Sequence, residues 1–357
     1  MYQRISEVHV KFRVTNHLIL IKKPHQQYSI QYFLKYILIY CCRFQVADLQ
    51  KNRASTMSTK YSLSQDTAIR FVEDKLDIKN VITLFQGNKR SLLDTIIDKW
   101  MQTIPFQSIK QLATDIPKRA VPSEEEAVTD VLSGIGGLCY THGIAIHHVL
   151  SALGYDTYPA ISAVGDDVKD HVAVFVKNVE SQGDLFLVDT GVGFPTFRAI
   201  QVKTSSGFIE ETERVTESFC TYKYVKRGDT YLRYNLASKE KTEGGFKYVT
   251  IGNELWCEFY TVWIEPVGVD VIQDFLHKNI YAKLDNQFNR TICVNKYPGN
   301  NYIGFKQNTL LYDEGGKLQS TIKEDPGELR RSIEERFPEL PLDMLEKAFR
   351  FWLSLDK

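Results

Sequence analysis

The feature that most constrains this chain is a change of hydrophobic period at Gly154. Before that glycine, apolar residues recur at helical spacing; after it they alternate with a period of two. Helices ahead of strands, with helix again at the end of the chain, read as an α+β fold. Ser62 and Gln65 have the spacing of a capping box, and Ala68, Phe71, Val72 and Leu76 follow at helical intervals. Further helices are expected over 91–102 and 123–133, the second opening on Ser123 and three glutamates, where the helix dipole favours acids. A helix from Cys139 to Leu153 stops at Gly154. Strands are predicted at 157–163, 171–176, 185–189, 229–234, 254–264, 291–294, 302–305 and 309–312, and the chain returns to helix at 326–336 and 342–351.

The chain has 357 residues, 43% of them hydrophobic, which is enough for two or three structural units sharing one site. Lysine plus arginine equals aspartate plus glutamate, 44 each, so there is no basic footprint for nucleic acid. That balance hides a basic leader: residues 1–56 hold nine Lys/Arg against two Asp/Glu, leaving residues 57–357 at −7. The leader shows no sustained period and reads as lying outside the folded body, with Met57 as the natural start. The alternative is an organelle-targeting segment, which fits its charge but not its low serine content. Its most apolar stretch, Tyr36 to Cys42, is seven residues long, against the roughly 20 needed to cross a bilayer. Six cysteines without a CxxC pair read as free thiols in a reducing, cytoplasmic setting.

Cys139 stands apart because Gly134, Gly136 and Gly137 deliver it to a helix N-terminus. Unpaired N–H groups and the positive end of the dipole favour a thiolate there, and the same turn can offer amides to a developing oxyanion. A thiolate needs a base, and His171 opens the alternating run 171–176 just after a polar turn. The imidazole needs a carboxylate to fix its tautomer. Asp189 ends the next strand, and antiparallel pairing of 171–176 with 185–189 would bring it to the same edge as His171. Each residue also has a plain reading, as buried thiol, polar strand edge and turn residue respectively; their order and setting favour the chemical one. His142, His147 and His148 lie near Cys139 in sequence but lack the spacing of a closed tetrahedral set, so no metal site is expected. Cys220, Cys257 and Cys293 lie in apolar strand pattern and are expected in the core.

Gly136-Gly137-Leu138-Cys139, then His171 at a strand start, then Asp189-Thr190-Gly191-Val192-Gly193 resemble the signature of the arylamine N-acetyltransferase family. Pro105-Phe106-Gln107-Ser108 and Leu153-Gly154-Tyr155 extend the likeness, whose strong matches fall within about 100–195. The resemblance implies a helical domain carrying the cysteine (57–155), a central antiparallel β-barrel carrying histidine and aspartate (156–265) and a C-terminal α/β lid (266–357), around a papain- or transglutaminase-like cysteine site. It implies ping-pong chemistry in a monomer: Cys139 takes an acetyl group from acetyl-CoA, a co-substrate and not a tightly bound cofactor, and passes it to an arylamine, arylhydrazine or N-hydroxyarylamine. His171 would act as base and acid, Asp189 would orient it, and Phe106, Val192 and Phe194 would line the acceptor side; no residues are assigned to CoA. The family's arginine before the two glycines is Ile135 here, its glutamate after Pro-Phe is Gln107, and the glutamate two residues past the cysteine is Thr141. The arginine and the first glutamate pair in the family, and losing both leaves no unpaired buried charge. The same three residues would also serve a thiol amidohydrolase or a transglutaminase-like enzyme, and a silent binding protein is the remaining alternative.

Overall fold

In a computed structural model, residues 12–14, 17–19, 61–165, 168–237 and 246–355 are described. Backbone contacts divide the chain into Met1–Ser58 and Thr59–Lys357. In the first unit Phe12–Val14 pairs antiparallel with His17–Ile19; otherwise the leader reading lies outside the described residues.

The second unit opens on the helix Gln65–Arg70. Its cap is Ser64, whose hydroxyl accepts from the Thr67 N–H at 3.2 Å, and not Ser62. The expected capping box was two residues early: a capping hydroxyl sits immediately before the first turn, and Gln65 opens that turn instead of standing third in it. Ala68, Phe71, Val72 and Leu76 are buried as their spacing predicts. The helix Lys89–Thr103 is capped by Asn88 and buries Leu92, Leu93, Ile96, Ile97 and Trp100, each worth roughly 1.5–3 kcal/mol over exposure. Glu124–Ser133 is capped by Ser123, with Glu124, Glu125 and Glu126 in its first turn. Cys139–Leu153 is buried along nearly its whole length and ends at Gly154.

Strand alternation then builds two cores from one sheet. One face of His171–Lys177 and Leu185–Val188 sends Val174, Val176, Phe186 and Val188 to Ile146, Val149, Leu150 and Leu153 of the cysteine helix. The other face sends Ala173, Phe175, Leu185 and Leu187 inward to Tyr222, Tyr224, Tyr231 and Tyr260. The antiparallel order runs Gly207–Phe208, Ile200–Thr204, Leu185–Val188, His171–Lys177, Asp156–Val164, Glu254–Trp263, Thr230–Ala237, Cys220–Arg227, Val215–Glu217, with Lys247–Ile251 also on Glu254–Trp263. The sheet curls into a half-barrel: Lys226 N–H donates to the Glu210 carbonyl at 2.8 Å and Thr212 N–H to the Tyr224 carbonyl at 2.9 Å, tying the segment that follows Gly207–Phe208 to Cys220–Arg227. The sequence reading puts Cys220 in strand pattern but does not delimit the strand Cys220–Arg227, because Lys223 and Lys226 mask its alternation; Lys223 is itself buried, its ammonium 4.8 Å from the centre of the Trp256 ring.

A five-stranded sheet follows, in the order Lys317–Ile322, Thr309–Glu314, Ile303–Lys306, Cys293–Lys296, Phe106–Gln107. Its last strand comes from the helical part of the chain, with Val294 opposite Gln107 and Asn295 opposite Phe106. Pro326–Arg336 and Leu342–Ser354 pack on this sheet with Ile109 and Leu112. The helix Val269–Leu276, absent from the sequence reading, sends Ile272 and Leu276 into the cluster that holds Cys139. Cys220 and Cys257 are buried, whereas Cys293, expected in the core, is half-buried at the rim of that cluster. Among the described residues no helix is long and apolar enough to cross a membrane.

Candidate active site

The cysteine helix differs from the two longer helices before it in one respect: it has no side-chain cap. Leu138, at its N-cap, is extended and has no hydrogen-bonding side chain, whereas Asn88 and Ser123 cap the earlier helices. The first intrahelical bond is His142 N–H to the Leu138 carbonyl, so the N–H groups ahead of it have no acceptor within the helix. Cys139 stands at that end, 5% exposed. Its thiol donates to the Asp170 carbonyl at 3.6 Å.

Antiparallel pairing of His171–Lys177 with Leu185–Val188 runs through Val174 opposite Val188, and Asp189 follows directly. His171 Nε2 lies 2.8 Å from Asp189 Oδ2, both side chains almost wholly out of solvent. The Gly191 N–H donates to the other carboxylate oxygen at 3.1 Å, which fixes the carboxylate's plane. With Nε2 on the carboxylate, Nδ1 is the ring nitrogen left for sulfur. Burial works to lower the His171 pKa, but the Asp189 charge, with hydrogen bonds to Asp189 and Cys139, outweighs it and pushes the pKa up to about 10. Cys139, His171 and Asp189, chosen from sequence order, are thus together in space.

Two close approaches need glycine. A Cβ on Gly191 would stand 2.9 Å from the Cys139 carbonyl oxygen, so the turn after Asp189 lies directly on the cysteine backbone. A Cβ on Gly136, at φ +67°, would stand 2.0 Å from the Pro105 carbonyl oxygen. Through that second approach Phe106–Gln107 docks on the glycine turn, with Gln107 N–H donating to the Gly137 carbonyl at 2.9 Å.

Phe106 shares a cluster with Cys139, Leu138 and Tyr140, and its ring meets Phe288 at 5.7 Å. Val192 and Phe194 belong to the other core, on the barrel side, where Phe194 lies 4.4 Å from Phe259. The three residues expected on the acceptor side therefore belong to two different cores, and only Phe106 shares that of Cys139. Gln107, buried, accepts from Lys110 N–H at 2.9 Å and donates to the Ile135 carbonyl at 3.5 Å. Thr141 is buried against Gly137.

The sequence reading did not single out the packing role of His142. Trp100 donates its indole N–H to His142 Nδ1 at 3.0 Å, so Nε2 carries the proton and donates to the Pro105 carbonyl at 3.1 Å. Burial pushes this imidazole down to about 4. His147 pairs with Thr157 and His148 with Glu124, so the three helix histidines have separate partners. Tyr260 was also missed; its ring meets that of His171 edge-on at 5.5 Å. Its position inside a strand that reads only as core left no local signal. Ser162, opposite His171 in the sheet, and Thr190, next to Asp189, have buried hydroxyls without a partner among the described residues. A hollow of about 350 Å³ lined by Thr67, Arg70, Phe71, Asp74, Lys75 and Leu132 shares no residue with this cluster. It is an open surface depression.

A family model described as N-acetyltransferase matches residues 91–345. Among solved structures, the chain is similar to the Mycobacterium marinum arylamine N-acetyltransferase in complex with CoA, with a TM-score of 0.64 and 14% identity over 80% of this chain and 98% of that one. The Mycobacterium abscessus enzyme gives 0.62 and 16% over 83% and 99%. The Nocardia farcinica enzyme gives 0.59 and 17% over 80% and 97%. No curated protein matches by sequence. At these identities the structural likeness carries the fold, and the family model, spanning most of the chain, carries the membership: this chain belongs to the arylamine N-acetyltransferase family.

Proposed function

We propose that this acyltransferase moves an acetyl group from acetyl-CoA to an aromatic amine through a thioester on Cys139. The observation that carries the reading is the 2.8 Å bond between His171 and Asp189, with Cys139, at an uncapped helix end, among the groups that raise the same imidazole.

The raised pKa of His171 lets the ring take up the thiol proton of Cys139, so that in the reaction the sulfur is the nucleophile and the ring the acid. The thiolate attacks the thioester carbonyl of acetyl-CoA. The free N–H groups of the helix's first turn meet the developing oxyanion, and as the C–S bond to CoA breaks, His171 protonates the departing thiolate. Neutral His171 then removes a proton from the amine as its nitrogen attacks the acetyl-cysteine. That C–S bond breaks, leaving N-acetylamine, Cys139 thiolate and imidazolium. Asp189 keeps the ring aligned throughout. Splitting the transfer in two lets each partner meet a fixed acyl group in a water-poor site.

Phe106 in the cysteine's cluster, and Val192 and Phe194 against the barrel core, offer apolar and aromatic surface suited to a flat aromatic acceptor. The unpartnered hydroxyls of Ser162 and Thr190 offer hydrogen bonds beside the reacting groups. The CoA complex of the M. marinum enzyme supports CoA as the donor's carrier.

Mixing the protein with acetyl-CoA and reading intact mass tests this. One acetyl increment on Cys139, lost in Cys139→Ala and discharged by an arylamine, is expected. Absence of any adduct with acetyl-CoA or other short acyl-CoA esters would refute it.

A further inference from the structure

Arg233 occupies an inward position of Thr230–Ala237 and is 0% exposed. A guanidinium so placed is costly unless every N–H is used. Nε donates to Asn235 Oδ1 at 2.8 Å, Nη1 to Thr196 Oγ1 at 2.9 Å, and Nη2 to the Pro195 carbonyl at 3.1 Å and to Cys220 Sγ at 3.9 Å. All four partners are neutral, burial pushing the Cys220 thiol up. Its centre lies 3.9 Å from the centroid of the Tyr222 ring.

Two connections run from this cation to the site. Pro195 and Thr196 end the loop that leaves Asp189, lays Gly191 on the Cys139 backbone and carries Val192 and Phe194. Tyr297 holds the same loop by donating to the Gly193 carbonyl at 2.9 Å. The second connection passes through two phenols. Arg233 draws down the Tyr224 hydroxyl against burial, that hydroxyl lies 2.9 Å from the Tyr260 hydroxyl, and Tyr260 meets His171 edge-on.

We propose that Arg233 is a positioning residue for the transfer reaction, fixing the loop after Asp189 by its fork and balancing the buried negative charge of the site by its own. The proposal rests on the roles given above to Cys139, His171 and Asp189. With a thiolate, an imidazolium and a carboxylate, the site carries one surplus negative charge in a low-dielectric interior. Glu217, the carboxylate that the Tyr222 hydroxyl reaches at 2.7 Å, is already matched by Arg198 at 2.8 Å. On both Tyr224 and Tyr260, which burial keeps neutral, Asp189 acts upward and Arg233 downward, so the two charges share one field. Arg233 also draws down Tyr297, which burial holds well above the usual phenol range.

The test compares Arg233→Met, Arg233→Lys and Thr196→Val for iodoacetamide alkylation of Cys139 against pH and for acceptor KM and kcat. In Arg233→Met the alkylation midpoint should rise by about one pH unit, because removing a cation disfavours the thiolate, and kcat/KM for the acceptor should fall about tenfold or more. Arg233→Lys keeps the charge but not the fork, so its midpoint should stay near wild type while acceptor KM rises. A cooperatively folded Arg233→Met with wild-type midpoint and acceptor KM overturns the proposal. If that variant does not fold, unchanged acceptor KM in both Arg233→Lys and Thr196→Val overturns it equally. Alkylation needs no acetyl donor, so a wild type that forms no acetyl-enzyme sinks the acetyl-transfer reading separately from this one.

Discussion

Two buried histidines meet near Cys139, one from the helical side and one from the barrel side, and they behave in opposite ways. His142 and His171 are 1% and 2% exposed, and burial acts to lower both. His142 has neutral partners, the Trp100 indole and the Pro105 carbonyl, and goes down to about 4. His171 has the Asp189 carboxylate and goes up to about 10. The partner's charge, not the depth of burial, decides which imidazole carries a proton at neutral pH. For these two imidazoles, the helical side thus supplies neutral partners, the indole and the proline carbonyl, and the barrel side supplies a charged one, the Asp189 carboxylate.

Asp189→Asn should break the contrast most severely. An amide keeps the shape but removes the charge, so burial should leave His171 neutral like His142, with acetyl transfer down about 10³-fold or more. Steady-state kinetics together with an NMR titration of His171 would measure both; an imidazole still titrating near 10 would mean that Asp189 is not the cause.

The same contrast sets how stability depends on pH. The folded pKa of His142 lies below its unfolded value of 6.5, so the unfolded chain takes the proton first as pH falls. Stability is therefore lost between pH 6.5 and about 4, by roughly 3 kcal/mol for this group. His147, which burial also pushes down to about 4, adds in the same direction. His171 is raised, so its contribution is complete below 6.5 and is lost as pH climbs toward 10. Urea unfolding at pH 5, 7 and 9 should show a maximum near neutrality; a protein more stable at pH 5 than at 7 would contradict the assignment of His142.

Trp100→Phe should have the smallest effect and the sharpest meaning. It retains an aromatic ring but removes the donor to His142 Nδ1, costing about 1–2 kcal/mol. Because the lost bond favoured the neutral imidazole, the folded pKa of His142 should rise toward 6.5 and the acid loss of stability should shrink, while the midpoint of Cys139 alkylation stays where it is. A moved midpoint would show that the two histidines are coupled, not separate.

Where the sequence could be read, the reason was local. The helix beginning at Cys139 and stopped by Gly154 is written in adjacent residues. The meeting of His171 and Asp189 needed only that two neighbouring strands pair antiparallel, which short connections favour. Reading failed where a residue's setting came from far along the chain. Lys223 looks like a surface residue until Trp256 is beneath it. Phe106–Gln107 looks like the end of a helical segment until it pairs with Val294 and Asn295. Val269–Leu276 gains its meaning from the cysteine cluster that it covers.

The order of residues thus determined the change from helix to strand, the uncapped end that presents Cys139, and the pairing that delivers a carboxylate to an imidazole, because each depends on neighbours a few bonds or one hairpin apart. Folding decided which histidine is neutral and which is charged, that Gln107 meets the Ile135 carbonyl, and that Arg233 sits among tyrosines inside the barrel. Those outcomes are set by burial and by partners up to nearly two hundred residues away in the chain, as between Gln107 and Val294, and electrostatic energies depend on such through-space distances, not on positions along the chain.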